Sequence, residues 1–358
     1  MKIGILGAGT WGIAVARMLS LQGHSVAVWS AIQSEIIYLQ RSHVHPNLPG
    51  MLVPDAIVFT SELGTACSDQ DLIAFAVPSV YVRQTAERAR AYIPDGQIIA
   101  DLAKGIETGT LLTCTEVIGD VLQQDGQHSA IRLVALSGPT HAEEVAMDLP
   151  TTIVAASESM QAAEFVQAIF SNENMRVYTN ADIKGVEVSG ALKNIIALAA
   201  GISTGLGYGA NLKAAIITRG LAEICRLGTA MGCAEQTFFG LAGIGDMIVT
   251  ATSEHSRNNR AGMLIGQGCS PEEAMAQVGM VVEGIHALPA AMRLAEAYHV
   301  EMPITLAVHA IVAQRKDPAE AVRALMTRSQ GSEFPNSSCV EKNEDFPVSL
   351  TARDENGG

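Results

Sequence analysis

The stretch GALKNIIALAAGI, residues 190–202, sets Lys193 and Asn194 side by side inside an otherwise apolar helical pattern. Burial or a neighbouring cation lowers a lysine's pKa, so that the amine can exchange a proton near neutral pH. At helical spacing Lys193 shares its face with Val186, Ser189, Ile196 and Ala197. Small residues around it (Gly190, Ala191, Ala197, Ala199, Ala200, Gly201) leave room for another backbone or a ligand. A second lysine, Lys104, follows a strand pattern in ADLAKGIE, at what would be the ligand-binding edge of a parallel sheet. Asp246 lies in the glycine-rich run GLAGIGDMIVT, where an unpaired carboxylate is costly, so a buried partner such as Lys193 is expected. Thr250 is placed to orient Asp246 or a substrate. Ser256, Arg257 and Asn258 open a further helix with an N-cap, a guanidinium and free amides, which together suit an anion. Each residue alone also has a plain structural reading: a snorkelling lysine, a loop lysine, a simple cap.

A nucleotide signal accompanies these groups. Gly7-Ala8-Gly9-Thr10-Trp11-Gly12 fits G-x-G-x-x-G between the strand pattern KIGIL and a helix. Gly7 permits the tight turn, Gly9 lets a pyrophosphate approach the backbone, and Gly12 lets helix and strand pack closely. After the second strand stand Ser30, Ala31 and Ile32, neither an acid for the ribose of NAD nor an arginine for the phosphate of NADP; Ser30 can serve either, and the choice stays open. A dinucleotide, a proton-exchanging lysine and an oxyanion binder together suit hydride transfer to the carbonyl of a small phosphorylated or carboxylated substrate.

The elements that must hold these residues are legible. Strand patterns occur at 2–6, 24–30, 56–60, 71–77, 97–103, 131–138, 151–157 and 175–180, with helical stretches between most of them. Strands this apolar are expected to be covered on both faces, in an α/β doubly wound parallel sheet. From Asp182 strand patterns stop, and helical runs follow at 182–201, 212–231, 257–267, 271–278, 284–299, 303–315 and 317–327. The expected organisation is a dinucleotide-binding domain over 1–181, a helical substrate and catalytic domain over 182–328, and a polar tail over 329–358 that is expected to be disordered.

Bulk properties narrow the function. A net charge of −14 over 358 residues argues against a nucleic-acid surface. No apolar run reaches the ~18 residues of a membrane span. The apolar N-terminus faintly mimics a signal peptide, but cleavage there would remove the strand–turn–helix signal. Six cysteines without CxxC spacing are expected to be buried free thiols in a reducing cytoplasm. His43 and His45 resemble a metal pair only superficially, and no metal is expected. His141 is expected to line the cleft rather than act as the base.

The motifs resemble one family, bacterial-type NAD(P)-dependent glycerol-3-phosphate dehydrogenase. The matching pieces are GAGTWG (7–12), NLPG (47–50), AVPS (76–79), KGIE (104–107), LSGPTHAEEV (136–145), the long block 185–228, FGLAGIGDMIVT (239–250), SRNNRAG (256–262) and VVEG (281–284). The resemblance implies an N-terminal Rossmann domain, a C-terminal all-helical domain, and an active site in the cleft between them. It implies Lys193 as the proton-transferring residue, Lys104 as a second lysine touching substrate and nicotinamide, and Asp246 beside them. It carries Gly138, Thr140, Asn194, Thr250, Ser256, Arg257 and Asn258 to the substrate site. Thr10, Trp11, Ala142, Arg257, Val281 and Glu283 match cofactor-contacting positions. The implied reaction reduces dihydroxyacetone phosphate to glycerol 3-phosphate reversibly, with NAD or NADP, for glycerophospholipid synthesis in the cytoplasm by a homodimer. Many members carry an arginine where this chain has Ser30-Ala31-Ile32. Two other readings compete: a ketopantoate-reductase-like dehydrogenase of the same architecture, and a catalytically idle nucleotide sensor.

Overall fold

The computed structural model describes residues 1–124, 126–329 and 332–333; the rest of the expected tail, 330–331 and 334–358, lies outside the described residues. Eight strands form one sheet: β1 Lys2–Leu6, β2 Ser25–Trp29, β3 Val58–Thr60, β4 Leu72–Phe75, β5 Ile98–Asp101, β6 Arg132–Ser137, β7 Thr151–Ala156 and β8 Met175–Asn180. All eight coincide with apolar patterns in the sequence, because each buries at least one face. Their order is β3-β2-β1-β4-β5-β6-β7-β8. The order reverses between β1 and β4, and ligands of such sheets bind at the carboxyl ends of the strands flanking that point.

One expectation is corrected. The sheet is mixed, because β6 and β7 pair antiparallel, Ala135 opposite Ala156. The connection, residues 138–150, holds one short helix, Ala142–Ala146, and turns the chain back beside β6.

Two apolar layers cover the sheet. One includes helix α1 (Thr10–Leu21) and Phe170; the other includes Leu63, Ala86, Val117 and Val121 from shorter helices. Beyond β8 the chain is helical, and its core surrounds the helix Ile183–Gly205. Every residue from Gly185 to Ser203 is buried there. Among the described residues only this helix is long and apolar enough to cross a membrane, and it is wholly enclosed by protein.

The small residues of that helix are explained by its crossing with the helix Arg257–Gly266. A Cβ on Gly201 would strike the carbonyl of Asn259, and one on Gly262 the carbonyl of Leu198. Gly205 and Gly266 meet Met263 and Ile202 in the same way. The two backbones touch, which fixes how the Ser256–Asn258 segment is presented. The glycine-rich run before Asp246, which shows no helical pattern, is nevertheless wound. Leu241–Gly245 forms a wide turn, kinked at Gly243 (φ −92°, ψ −107°), that leads into the helix Asp246–Thr252. Three glycines and the weak intrinsic preference they confer mask this element in the sequence.

Candidate active site and nucleotide turn

The nucleotide turn forms where β1 meets α1. Gly7 has φ +130°, and a Cβ there would lie 2.6 Å from the carbonyl carbon of Ala76, so only glycine fits. A Cβ on Gly12 would strike the Gly7 carbonyl. At Gly9, by contrast, the space is open, and this residue caps α1 with no side-chain hydrogen bond. The first amides of α1 are thus left for an anion. The buried Thr10 hydroxyl beside them has no partner in the protein. Open space, free amides and an orphaned hydroxyl in one place fit a dinucleotide pyrophosphate. Trp11 is half-buried against the α1 layer.

β5 runs parallel to β4, as β4 does to β1, so Lys104, three residues past the end of β5, emerges on the same sheet edge as Gly7. Its side chain crosses Gly190, whose absent Cβ would lie 3.7 Å from Lys104 Cγ. Lys104 Nζ donates to the Gly138 carbonyl at 3.0 Å, to Asp246 Oδ2 at 2.7 Å and, more weakly, to Thr140 Oγ1 at 3.5 Å. Lys193 Nζ donates to Asp246 Oδ1 and, at 2.5 Å, to Thr250 Oγ1. Thr250 in turn donates to the Asp246 carbonyl at 2.7 Å. One carboxylate therefore sits between two ammonium groups, with a hydroxyl alongside.

Lys193 and Asp246 are only 4% and 1% exposed. Burial is the larger influence on Lys193 and brings its pKa down to about 7; Lys104 adds to this, and Asp246 opposes it. Burial works against the Asp246 carboxylate too, but the two lysines together hold it below the usual carboxylate range. The group that titrates near neutrality is the amine, and its neighbour keeps its negative charge.

The other residues expected at the site are placed as follows. Asn194 donates to the Gly190 carbonyl at 3.2 Å, and its own oxygen accepts from Asn258 Nδ2 at 2.9 Å. Asn258 Oδ1 accepts the Gly284 amide at 2.8 Å, so both ends of its amide tie helices together. Ser256 is the N-cap of the helix Arg257–Gly266 and accepts the Asn259 amide. Arg257 is exposed and has no hydrogen bond or ion pair among the described residues. Ser30 is buried and donates to Glu35 Oε2 at 2.7 Å, so its proton is already used. Glu283 grips Ser79 across the cleft, accepting from its amide at 3.2 Å and its hydroxyl at 2.7 Å. Val281 and Ala142 are half-buried; Ala142 opens the helix Ala142–Ala146, and Val281 lies two residues before the helix that Glu283 opens. His141 precedes the helix Ala142–Ala146, and burial lowers its pKa. It packs edge-on against His255, ring centroids 6.0 Å apart.

Some participants are not apparent in the sequence. Ser79 follows β4 and fills the space left by Gly105, beside Lys104. It closes the AVPS motif named above, but that motif does not reveal the contact. Asp101 and Glu187 are buried carboxyls that stand out only as acids within apolar runs. Glu187 accepts from the hydroxyls of Thr113 and Thr115 and from the Thr115 amide, and burial first of all pushes its pKa up to about 7. Asp101 is buried; burial raises its pKa strongly, the Glu187 carboxyl adds to this, and the Ala103 backbone opposes it.

Residues 2–163 match the family model described as NAD-dependent glycerol-3-phosphate dehydrogenase N-terminus, and residues 182–323 match the one for its C-terminus. A glycerol-3-phosphate dehydrogenase [NAD(P)+] of Lactobacillus delbrueckii subsp. bulgaricus is 62% identical over 333 residues, which cover 93% of this chain and 99% of that protein. The protein of the same name from Agathobacter rectalis is 48% identical over 330 residues, 92% and 96% of the two chains. The crystal structure of glycerol-3-phosphate dehydrogenase from Coxiella burnetii superimposes with a TM-score of 0.86 at 36% identity, covering 91% of this chain and 99% of that one. With a glycine turn and a lysine–aspartate–lysine cluster sharing one sheet edge, and with matches running nearly end to end, the chain belongs to the NAD-dependent glycerol-3-phosphate dehydrogenase family.

Proposed function

We propose that the chain interconverts dihydroxyacetone phosphate and sn-glycerol 3-phosphate with NAD or NADP, running toward glycerol 3-phosphate for glycerophospholipid synthesis. The observation that carries this is the buried amine of Lys193, held near neutrality beside the Asp246 carboxylate. In the reducing direction the ketone, the reduced nicotinamide and one proton give the alcohol and the oxidised nicotinamide. A nicotinamide bound at the glycine turn would supply the hydride. Lys193 supplies the proton.

The hydrogen-bond count favours that role. A lysine ammonium has three N–H donors. Asp246 and Thr250 take two, which leaves one for the oxygen that becomes negative. After it gives that proton, the neutral amine keeps two N–H bonds to the same partners. Its lone pair then stands ready to take a hydroxyl proton in the reverse reaction. Positioned proton transfer of this kind contributes about 10²–10⁴-fold, or ~3–5 kcal/mol of barrier. Lys104 places a second positive charge at the same carboxylate and in this reading also contacts substrate and nicotinamide. Arg257 and the free amides of its helix hold the substrate phosphate, so binding energy far from the carbonyl orients it.

In this reading Gly7, Gly9, Thr10, Trp11 and Gly12 cradle the pyrophosphate, with Ser30, Ala142, Val281 and Glu283 further along the nucleotide. Residues 1–181 are the nucleotide-binding domain and 182–328 the substrate domain. Family membership supports a homodimer in the cytoplasm. The test is consumption of reduced nicotinamide that depends on dihydroxyacetone phosphate, compared with ketopantoate and other small ketones. Arg257→Ala should raise KM for dihydroxyacetone phosphate roughly 10- to 100-fold. Turnover of another ketone but not of this one would overturn the assignment, and an unchanged KM would remove Arg257 from the phosphate.

A further inference from the structure

The end of β2 carries a feature that bears on which nicotinamide cofactor binds. The Gly7 amide donates to the Trp29 carbonyl at 2.8 Å, which sets the tip of β2 against the nucleotide turn. The next residue, Ser30, is 5% exposed. Its hydroxyl accepts the Ile32 amide at 3.1 Å and donates to Glu35 Oε2 at 2.7 Å. Glu35 lies in the first turn of helix α2, Gln33–Ser42. The acid missing from the strand end is thus returned to it from the following helix. Its second carboxylate oxygen has no hydrogen bond among the described residues.

The surroundings leave this charge uncompensated. Among the described residues no lysine or arginine forms an ion pair with Glu35. The basic residue of α2, Arg41, belongs to its last turn, about 9 Å further along the axis. His45 faces both Glu35 and the Ala8 carbonyl, and its Nδ1 accepts the Asn47 amide. Burial holds that imidazole below its usual range, so it is neutral at neutral pH.

We propose that Glu35, oriented by Ser30, makes the adenosine end of the site select NAD(H), with its free 2′-hydroxyl, over 2′-phosphorylated NADP(H). This rests on the nucleotide site read above. A ribose diol donates to the free carboxylate oxygen, whereas a 2′-phosphate brings a second anion to a place without a cation. Ser30 is a positioning residue: with both sides of its hydroxyl in use, it has no proton to offer a phosphate.

The test is equilibrium titration of nicotinamide fluorescence with NADH and NADPH, with competition by AMP and 2′-phospho-AMP. The unaltered enzyme should bind NADH roughly 10- to 100-fold more tightly than NADPH. Glu35→Gln should shrink that ratio by about tenfold, Glu35→Arg should invert it, and Ser30→Ala should reduce it less than either. The kcat/KM ratio for the two cofactors should move in parallel. Equal affinities in the unaltered enzyme, or an unchanged ratio in a folded Glu35→Gln variant, would overturn the proposal. Failure to bind either nucleotide would instead overturn the nucleotide site itself, and this proposal with it.

Discussion

The nucleotide turn and the lysine–aspartate cluster are built in opposite ways. The turn is six consecutive residues, and its chemistry is that of backbone amides exposed by glycine. The cluster joins residues 104, 193, 246 and 250, with Lys104 and Asp246 in contact across 142 positions, and its chemistry is that of side chains removed from water. A backbone site tolerates different cofactors because amides read a shared pyrophosphate. A buried charge cluster has no such latitude, because both lysines lean on one carboxylate and loss of any charged member leaves another uncompensated. Damage to the turn should therefore weaken binding in proportion, whereas damage to the cluster should collapse it.

The largest effect is expected from Lys193→Ala, with kcat lower by about 10²–10⁴ and nucleotide affinity retained. Steady-state rates beside a nucleotide titration check this, and near-normal turnover would remove Lys193 from proton transfer. Asp246→Asn leaves two ammonium groups around a neutral amide. Thermal or denaturant unfolding should show a loss of about 3–5 kcal/mol, as when one member of a buried ion pair is removed. An unchanged midpoint would mean that the charges in the cluster do not depend on one another.

Gly12→Ala tests the other region. Its Cβ meets the Gly7 carbonyl, so the turn must shift, and nucleotide Kd should rise by an amount equivalent to ~1–3 kcal/mol. The pH profile set by Lys193 should stay where it was; a displaced profile would show that the two regions are coupled. The smallest effect is the pH dependence itself. With the amine titrating at about 7, ketone reduction needs the protonated form and should decline as pH rises through that value, while alcohol oxidation rises. Stability follows its own sign. The folded pKa lies below the ordinary 10.5, so the unfolded chain binds the extra proton between about 7 and 10.5. Across that window the contribution of Lys193 makes the fold more stable as pH rises, and Lys193→Met should flatten that slope.

Much of the architecture can be read from the chain. The eight strands announce themselves through apolar runs, and the helical half through the end of those runs after Asp182. The reversal of β7 does not, because alternation and apolarity report burial and are blind to strand direction. The wound turn that leads into the helix of Asp246 is hidden by its glycines, although the carboxylate is conspicuous. Lys104, Lys193, Asp246 and Thr250 can be named as candidates from residue type and context. That Asp246 bridges both lysines depends on distances no local pattern encodes. Ser79 and Glu35 show the limit most clearly: each becomes meaningful only through a partner, Glu283 for one and Ser30 for the other.

The amino-acid order by itself determined the glycine turn and the sheet that carries it, because φ, sterics and strand burial are properties of neighbouring residues. Only the tertiary structure decided the charge state of Lys193 and the carboxylate beside Ser30. A pKa depends on how much water is excluded and which charges stand within a few ångströms, and those are set by the crossing of helices and strands far apart in the chain.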